Sequence, residues 1–260
     1  MDSTLRFAEE LASETGKRLL ELFNPQGTQT NLKSDQSVVT EADLAADRFI
    51  AESILKEFPD DVLISEELQP TIHAVNKPIW VVDPLDGTTN YSLGLPIWGV
   101  SIARTIKGWP EIGVVYFPIL AEMFTAQRGT GAYLNGEPLH SRLPFPGNTT
   151  SFFSCCTRTH QRYDIRIRYK TRILGSACYT MCAVARGMAI LGFETTPKIW
   201  DIAASWLILT ESGAAVETFD RSKPFPLQAE MDYSGLNFPI LAGATEEIIS
   251  DARRGITAKP

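Results

Sequence analysis

The stretch from Trp80 to Asn90, WVVDPLDGTTN, holds the densest chemistry in the chain: an apolar run delivers Asp83 and Asp86 three residues apart around Pro84. Proline offers no N–H to a sheet, so a strand is expected to end there, leaving the Leu85 carbonyl free as a further oxygen donor. Hard divalent cations such as Mg²⁺ take oxygen donors of this kind. Gly87, Thr88 and Thr89 then supply unhindered backbone N–H groups at an expected helix start, which suits an anion by geometry and by dipole. Cation ligands on one side and amides on the other describe a phosphate seat. The competing reading is a plain turn, because Asp, Pro and Gly are the residues turns favour. Two further acidic sites weigh against it: ISEE at 64–67 ends a second short apolar run on Glu66 and Glu67, and Trp200-Asp201 opens an otherwise apolar helix. Each alone reads more blandly, Asp201 as a helix N-terminal charge and Glu66 as a solvated loop acid.

Elements must hold these acids in place. Leu5, Leu11, Ala12, Leu19, Leu20 and Phe23 recur at helical spacing and predict a helix over 3–23, stopped by Asn24, Pro25 and Gly27. Thr40 with Asp43 three residues on opens a second helix that runs to about Glu57 before Pro59, which places Asp43 in its first turn. Short apolar runs at 62–65 and 79–83 read as buried strands. The runs at 100–105, 112–116 and 123–126 read as an antiparallel meander with a hairpin turn at Gly108, Trp109 and Pro110. The turn-rich stretch 141–150, SRLPFPGNTT, marks a boundary between two domains, 1–142 and 143–260. Beyond it, strands are expected at 152–155, 166–174, 189–193 and near 214–219, with helices at 177–187 and 201–212. Mixed elements in both halves predict an α+β protein of stacked helix and sheet layers.

With 260 residues, 44% of them hydrophobic and 21% charged, the chain can bury a sizeable core, which excludes disorder and collagen. Its 24 basic residues against 31 acidic ones give a net charge of −7, the wrong electrostatic footprint for nucleic acid. The longest apolar stretches are interrupted by Asp201 or Arg186 and fall short of the ~20 residues of a membrane span. The acidic start, MDSTLRFAEE, is unlike a signal peptide, so the cytoplasm is the expected location. Cys155, Cys156, Cys178 and Cys182 are spaced against a tetrahedral zinc site, and His73, His140 and His160 have no triad partners nearby in sequence. Arg166, Arg168, Lys170 and Arg172 alternate with Ile167, Tyr169 and Thr171, and on a strand all four charges would share a face. The plainer reading is a solvated edge or a dimer rim; the sharper one is a seat for a second phosphate.

The three acidic elements resemble, in order, the inositol monophosphatase superfamily: ISEE at 64–67, WVVDPLDGTTNY at 80–91 and WDIAASWLILTESG at 200–213. The likeness extends to LKSDQSVVTEAD at 32–43 and GSACYTMCAVARG at 175–187. It departs from the family at Ser65 and Ser205, where glycine is usual, and at Ala214-Ala215 after Gly213, where the family often has paired glycines. The resemblance implies a layered αβαβα fold, a homodimer and a Mg²⁺-dependent phosphomonoesterase of small phosphorylated polyols or sugars, with inositol 1-phosphate the leading substrate. It implies metal ligation by Glu66, Asp83, the Leu85 carbonyl, Asp86 and Asp201. Phosphate would be held by the Gly87 and Thr88 amides, and the attacking water oriented by Thr88 with Asp43, with Glu66 counted among the catalytic groups. Gly175, Ser176, Ala177, Glu194 and Asp201 would meet the substrate, and Lys33 would lie close to the metals. Fructose-1,6-bisphosphatase, histidinol phosphatase and nucleotide 3′-phosphatase are the rival activities, and a non-catalytic regulatory protein keeping the fold is the rival class.

Overall fold

Residues 3–32, 38–67, 71–72, 75–143 and 151–259 are described by a computed structural model of the chain. Leu5, Ala8, Leu11, Ala12 and Leu19 form the buried face of α1 (Ser3–Leu22), as their spacing requires. α2 (Glu41–Glu57) begins at Thr40: the Thr40 hydroxyl accepts from the Asp43 N–H, and the Asp43 carboxylate accepts from the Thr40 N–H at 2.8 Å. That reciprocal pair satisfies two backbone donors that a helix start otherwise leaves open.

Both helices cover one face of a seven-stranded sheet. Its strands, from edge to edge, are Glu137–Leu139, Gly131–Leu134, Glu122–Gln127, Trp109–Phe117, Gly99–Ile106, Ile79–Asp86 and Val62–Ser65. All neighbours are antiparallel except the last two, which run parallel. A parallel pair needs a long crossover, and here it brings the carboxyl ends of both strands, with Glu66 and Asp86, to one end of the sheet. Ile79–Asp86 is buried at all eight positions, which accounts for its unbroken apolar lead-in.

Against the other face lie α5 (Ala177–Ala185) and α6 (Ile199–Glu211), whose near-continuous burial follows from contact on two sides. Their second neighbour is a five-stranded sheet in the order Lys170–Arg172, Phe152–Cys155, Ala189–Glu194, Ile240–Gly243, Ala215–Thr218. α7 (Glu246–Gly255) packs on its far side through Ile249 and Ala252. The result is five layers, helix–sheet–helix–sheet–helix, with three apolar cores between them. No described helix is long and apolar enough to cross a membrane.

Several expectations shift. The strand at 79 does not stop at Pro84: it runs to Asp86, and the pairing with Gly99–Ile106 slips between Asp83 and Asp86, so proline is accommodated as a bulge. The hairpin turn is made by Lys107 and Gly108, both at positive φ, and Trp109 already belongs to the strand. The basic stripe is not one strand. Tyr163–Ile165 pairs with Ile256–Ala258, only Lys170–Arg172 joins the sheet, and α4 (Thr157–Arg162) was not anticipated. Arg166, Arg168, Lys170 and Arg172 are exposed. The last forty residues, read as nothing in particular from sequence, supply a central strand and α7. Most of the turn-rich boundary stretch, residues 144–150, lies outside the described residues, as do Lys33 and His73.

α6 seats on the first sheet so closely that a Cβ at Gly113 would lie 2.8 Å from the Ala204 carbonyl oxygen and 3.0 Å from its Cα. Gly113→Ala is therefore expected to lower stability by about 1–3 kcal/mol, the usual cost of overpacking. A urea denaturation midpoint unchanged from wild type would show that this contact does not fix α6.

Candidate active site

Three acids meet where the carboxyl ends of two parallel strands come up against the first turn of α6. Glu66 follows the strand Val62–Ser65, and its N–H donates to the Val82 carbonyl at 3.2 Å, which holds it beside Asp83. Asp83 is fixed by the bulge, with the Leu85 N–H donating to its Oδ1 at 2.9 Å. Asp201 lies in the first turn of α6, where its Oδ2 accepts from the Lys198 N–H at 2.7 Å. The Asp201 carbonyl is tied down by the Ser205 hydroxyl at 2.9 Å and the Cys178 thiol at 3.0 Å, so Ser205 has a partner where the family usually has glycine. One oxygen from each of Glu66, Asp83 and Asp201 lies within 4.8 Å of the others.

Asp86 is held differently. Its carboxylate accepts from the Ser176 hydroxyl, from the Ala177 N–H at 3.1 Å and from the Cys178 N–H at 3.3 Å, so it closes the N-terminus of α5. Ser176 and Ala177 therefore bear on the site through Asp86. Thr88 opens the five-residue α3 (Thr88–Ser92), with its Oγ1 3.0 Å from Asp43 Oδ1 and 3.0 Å from the Leu85 carbonyl oxygen. Gly87 adopts φ 89°, and a Cβ there would lie 3.0 Å from the Ile97 carbonyl oxygen. Gly175 adopts φ 77° against Asn90, whose amide donates to the Ile97 and Leu174 carbonyls at 2.7 and 2.8 Å.

Glu66, Asp83, Leu85, Asp86, Asp201, the 87–89 turn and Gly175 line one cleft of about 290 Å³. Glu194 is not on that wall: it is 6% exposed, accepts from Thr180 Oγ1 at 2.8 Å and lies near Cys156. The cleft also contains Arg158, at the start of α4, which the sequence reading passed over. Its one signal was position, just past the carboxyl end of a strand in a largely parallel region, where open α/β sheets take their ligands. None of Arg166, Arg168, Lys170 and Arg172 lines the cleft.

Burial, followed by the charges of Glu66, Asp201 and Asp86, pushes the Asp83 carboxyl well above the usual carboxylate range. Burial also raises Asp201, to about 8, with the charges of Asp86 and Glu66 adding to it. Asp86 rises to about 6, burial being opposed by the hydrogen bonds from Ser176, Ala177 and Cys178. Burial raises Asp43 against the bonds from Thr40 and Thr88, and raises Glu194 with the Cys156 charge as the next cause. Oxygen-only donors crowded until their charges repel are the donor set a hard divalent cation fits.

An acidic, oxygen-lined cleft at the joint of two sheets, with a glycine-led helix start in its wall, could hold a divalent cation beside an anionic group. A family model described as the inositol monophosphatase family matches residues 1–255. The chain is 36% identical to a Nus factor SuhB of Pasteurella multocida over 234 residues, 85% of this chain and 86% of that one. It is 34% identical to a histidinol-phosphatase of Chlorobaculum parvum over 220 residues, 82% and 85% of the two chains. An IMPase structure from Thermotoga maritima superposes with a TM-score of 0.78 at 26% identity, covering 97% of this chain and 98% of that one. The chain belongs to the inositol monophosphatase family and is a phosphatase of that family.

A carboxyl whose folded pKa is raised stabilises the fold fully below its unfolded value and loses that contribution as pH rises through the folded one. For Asp86 and Asp201, that window extends upward from the ordinary 3.8 through about 6 and about 8. The metal-free protein should therefore melt at a lower temperature at about pH 8.5 than at about pH 5.5, and added Mg²⁺ should restore more at the higher pH. Asp83→Asn should raise the metal-free melting temperature at the higher pH and blunt the response to Mg²⁺. Melting curves insensitive to both pH and cation would remove the crowded-carboxylate account.

Proposed function

We propose that the cleft hydrolyses the phosphomonoester of a small polyol or sugar, with inositol 1-phosphate the leading substrate and Mg²⁺ as cofactor. The observation that carries this reading is the Asp43–Thr88 hydrogen bond at 3.0 Å, whose Thr88 lines the same cleft as the three mutually close acids. Glu66, Asp83, Asp201 and the Leu85 carbonyl would hold the metal, with Asp86 within reach from the α5 terminus. Residues 1–142 thus supply most ligands, and 143–260 close the set through Asp201. Bound there, Mg²⁺ supplies Lewis-acid stabilisation of the charge that builds on the transferring phosphoryl group.

The remaining steps belong to side chains and backbone. The Gly87 and Thr88 N–H groups, at a helix start and unhindered, receive phosphate oxygens. Thr88 has a single hydroxyl proton and two acceptors in range. Donating it to Asp43 leaves the oxygen lone pairs free to accept from a water and aim that water at phosphorus. Burial and the bonds from Thr40 hold the Asp43 carboxyl in one orientation, so the alignment is set before substrate arrives. Gly175 borders the leaving group, whereas Glu194, off the cleft wall and bonded to Thr180, is given no substrate contact in this reading. A homodimer in the cytoplasm completes the reading.

Phosphate release measured over inositol, sugar, histidinol and nucleotide phosphates should require Mg²⁺ and stop with EDTA; turnover unaffected by EDTA would end the metal assignment. Thr88→Ala should lower kcat by roughly 10²–10⁴, as for other positioned proton-transfer groups, whereas Thr88→Ser should keep most activity. Adding Asp43→Asn to Thr88→Ala should cost far less than the product of the two single losses, since the pair acts as a unit. A double mutant as slow as that product would show two independent residues.

A further inference from the structure

Arg158 is the single cationic residue, among the described ones, that lines the acidic cleft. It stands just past the strand Phe152–Cys155, whose parallel neighbour Ala189–Glu194 ends close by, so Arg158 and Thr196 leave adjacent strand ends on the second sheet. The guanidinium donates to Thr196 Oγ1 at 3.1 Å and, although the cleft is lined by four carboxylates, pairs with none among the described residues. An arginine presents five N–H donors in a planar fork, so one bond to a threonine hydroxyl leaves most of the fork open to a ligand. A guanidinium serving only to neutralise the acids would be expected to pair with one of them. Arg158 is instead exposed and braced from the side by Thr196.

The amides at Gly87 and Thr88 come from the first sheet, and Arg158 from the second. With the scissile phosphate on the amides, the group nearer Arg158 is the alcohol that leaves. Cations on Glu66, Asp83 and Asp201 would cancel the acids, and Arg158 would then set the charge that the leaving group meets. The exposed basic stripe cannot do this work within one chain. Arg166 and Arg168 border a separate cleft with Tyr169 and Arg254 that shares no residue with the acidic one.

We propose that Arg158, braced by Thr196, is a specificity residue that recognises a second anionic group, phosphate or carboxylate, on the leaving alcohol. This rests on the phosphatase reading and narrows its substrate class: inositol 1-phosphate, whose alcohol is neutral, would be turned over less efficiently than a doubly anionic ester. Preferred substrates are phosphomonoesters bearing a second negative charge; an alcohol with an ammonium group is disfavoured.

The test compares two matched pairs: fructose 1,6-bisphosphate with fructose 1-phosphate, and 3-phosphoglycerate with glycerol 3-phosphate. In wild type, kcat/KM should favour the doubly anionic member of at least one pair, and the pair that responds identifies phosphate or carboxylate. Arg158→Ala should reduce that preference by about 10- to 100-fold, the range for a charge-assisted hydrogen bond, through KM and with kcat nearly unchanged. Arg158→Lys should retain part of it, and Arg158→Glu should invert it. A preference unchanged by Arg158→Ala, or a parallel fall in kcat for both members of a pair, would overturn the proposal while leaving the phosphatase reading in place. No phosphate release from any of the four by wild type, nor from inositol 1-phosphate, would take down both.

Discussion

Repulsion among buried carboxylates is the constraint to which much of the structure answers. Glu66, Asp83, Asp86 and Asp201 converge from two neighbouring strands of one sheet and from a helix, and two of them, Asp83 and Asp86, are almost fully buried. Without a cation, desolvation and mutual charge raise the Asp83 and Asp201 carboxyls, so protons do part of the neutralising. Left to itself such a cluster would push its elements apart. It persists because each acid is anchored by backbone geometry that owes nothing to the ion: the bulge at Pro84 for Asp83, the α6 first turn for Asp201, and the neighbouring parallel strand for Glu66. Stability given up there is recovered in the apolar layers behind the cluster, where Trp80, Val81, Val82 and Ile202 are fully buried.

Asp86 shows how one carboxylate can both line a cleft and join the halves. Three donors from Ser176, Ala177 and Cys178 stabilise its charge at the start of α5, and the same bonds fix α5 against the strand that carries Asp83. Asn90 adds a second tie, holding the Ile97 and Leu174 carbonyls from one side-chain amide. The Ser101 hydroxyl, reaching the Trp200 carbonyl at 3.2 Å, adds a third. These links have sequence separations of 84 to 99 residues, so the site exists only when both halves are folded together. Ser176, Asn90 and Ser101 are not among the residues lining the cleft, yet their bonds tie α5, α6 and the loop before α5 to the half of the chain that carries Glu66, Asp83 and Asp86.

Much of this was legible in the sequence because the acids lie at element ends that punctuate themselves. Thr40 and Asp43 spell a capping box, and the buried strand feeding Asp83 reads as an unbroken apolar run. Stacked helix and sheet layers followed from the mix of elements in both halves, and their αβαβα order from the family resemblance. Less legible were features decided by long-range pairing. Proline predicts a strand end, but the bulge lets the strand continue, because pairing with Gly99–Ile106 slips past Pro84 and resumes at Asp86 opposite Gly99. Residues 166–174 alternate like one strand, but only Lys170–Arg172 joins a sheet, beside Phe152–Ser154, while Tyr163–Ile165 just before them pairs with the distant Ile256–Ala258. Glu194 carried a family role by resemblance, yet it sits buried against Thr180, a placement no local pattern encodes.

On the proposed reading, the acidic motifs face whatever is common to every phosphomonoester: the phosphate, its cation and the water. Residues that could tell one alcohol from another must therefore lie outside those motifs, on the wall that meets the leaving group. In this chain the second half of the sequence contributes Gly175 and Arg158, beside the strand ends of the second sheet, to the cleft lining, and the proposal places the leaving group against them. Gly175 has little freedom to vary, because any Cβ there would lie 2.6 Å from the Asn90 side chain that ties the halves together. Arg158 has that freedom: it is exposed, belongs to a six-residue helix and has a single hydrogen-bond partner in Thr196. A change at Arg158 would alter the charge of the wall without disturbing any acid's anchor. In a fold this tightly constrained around its carboxylates, substrate preference can drift only at such positions, which is why the motifs identify the reaction and leave the alcohol to be read from the opposite wall.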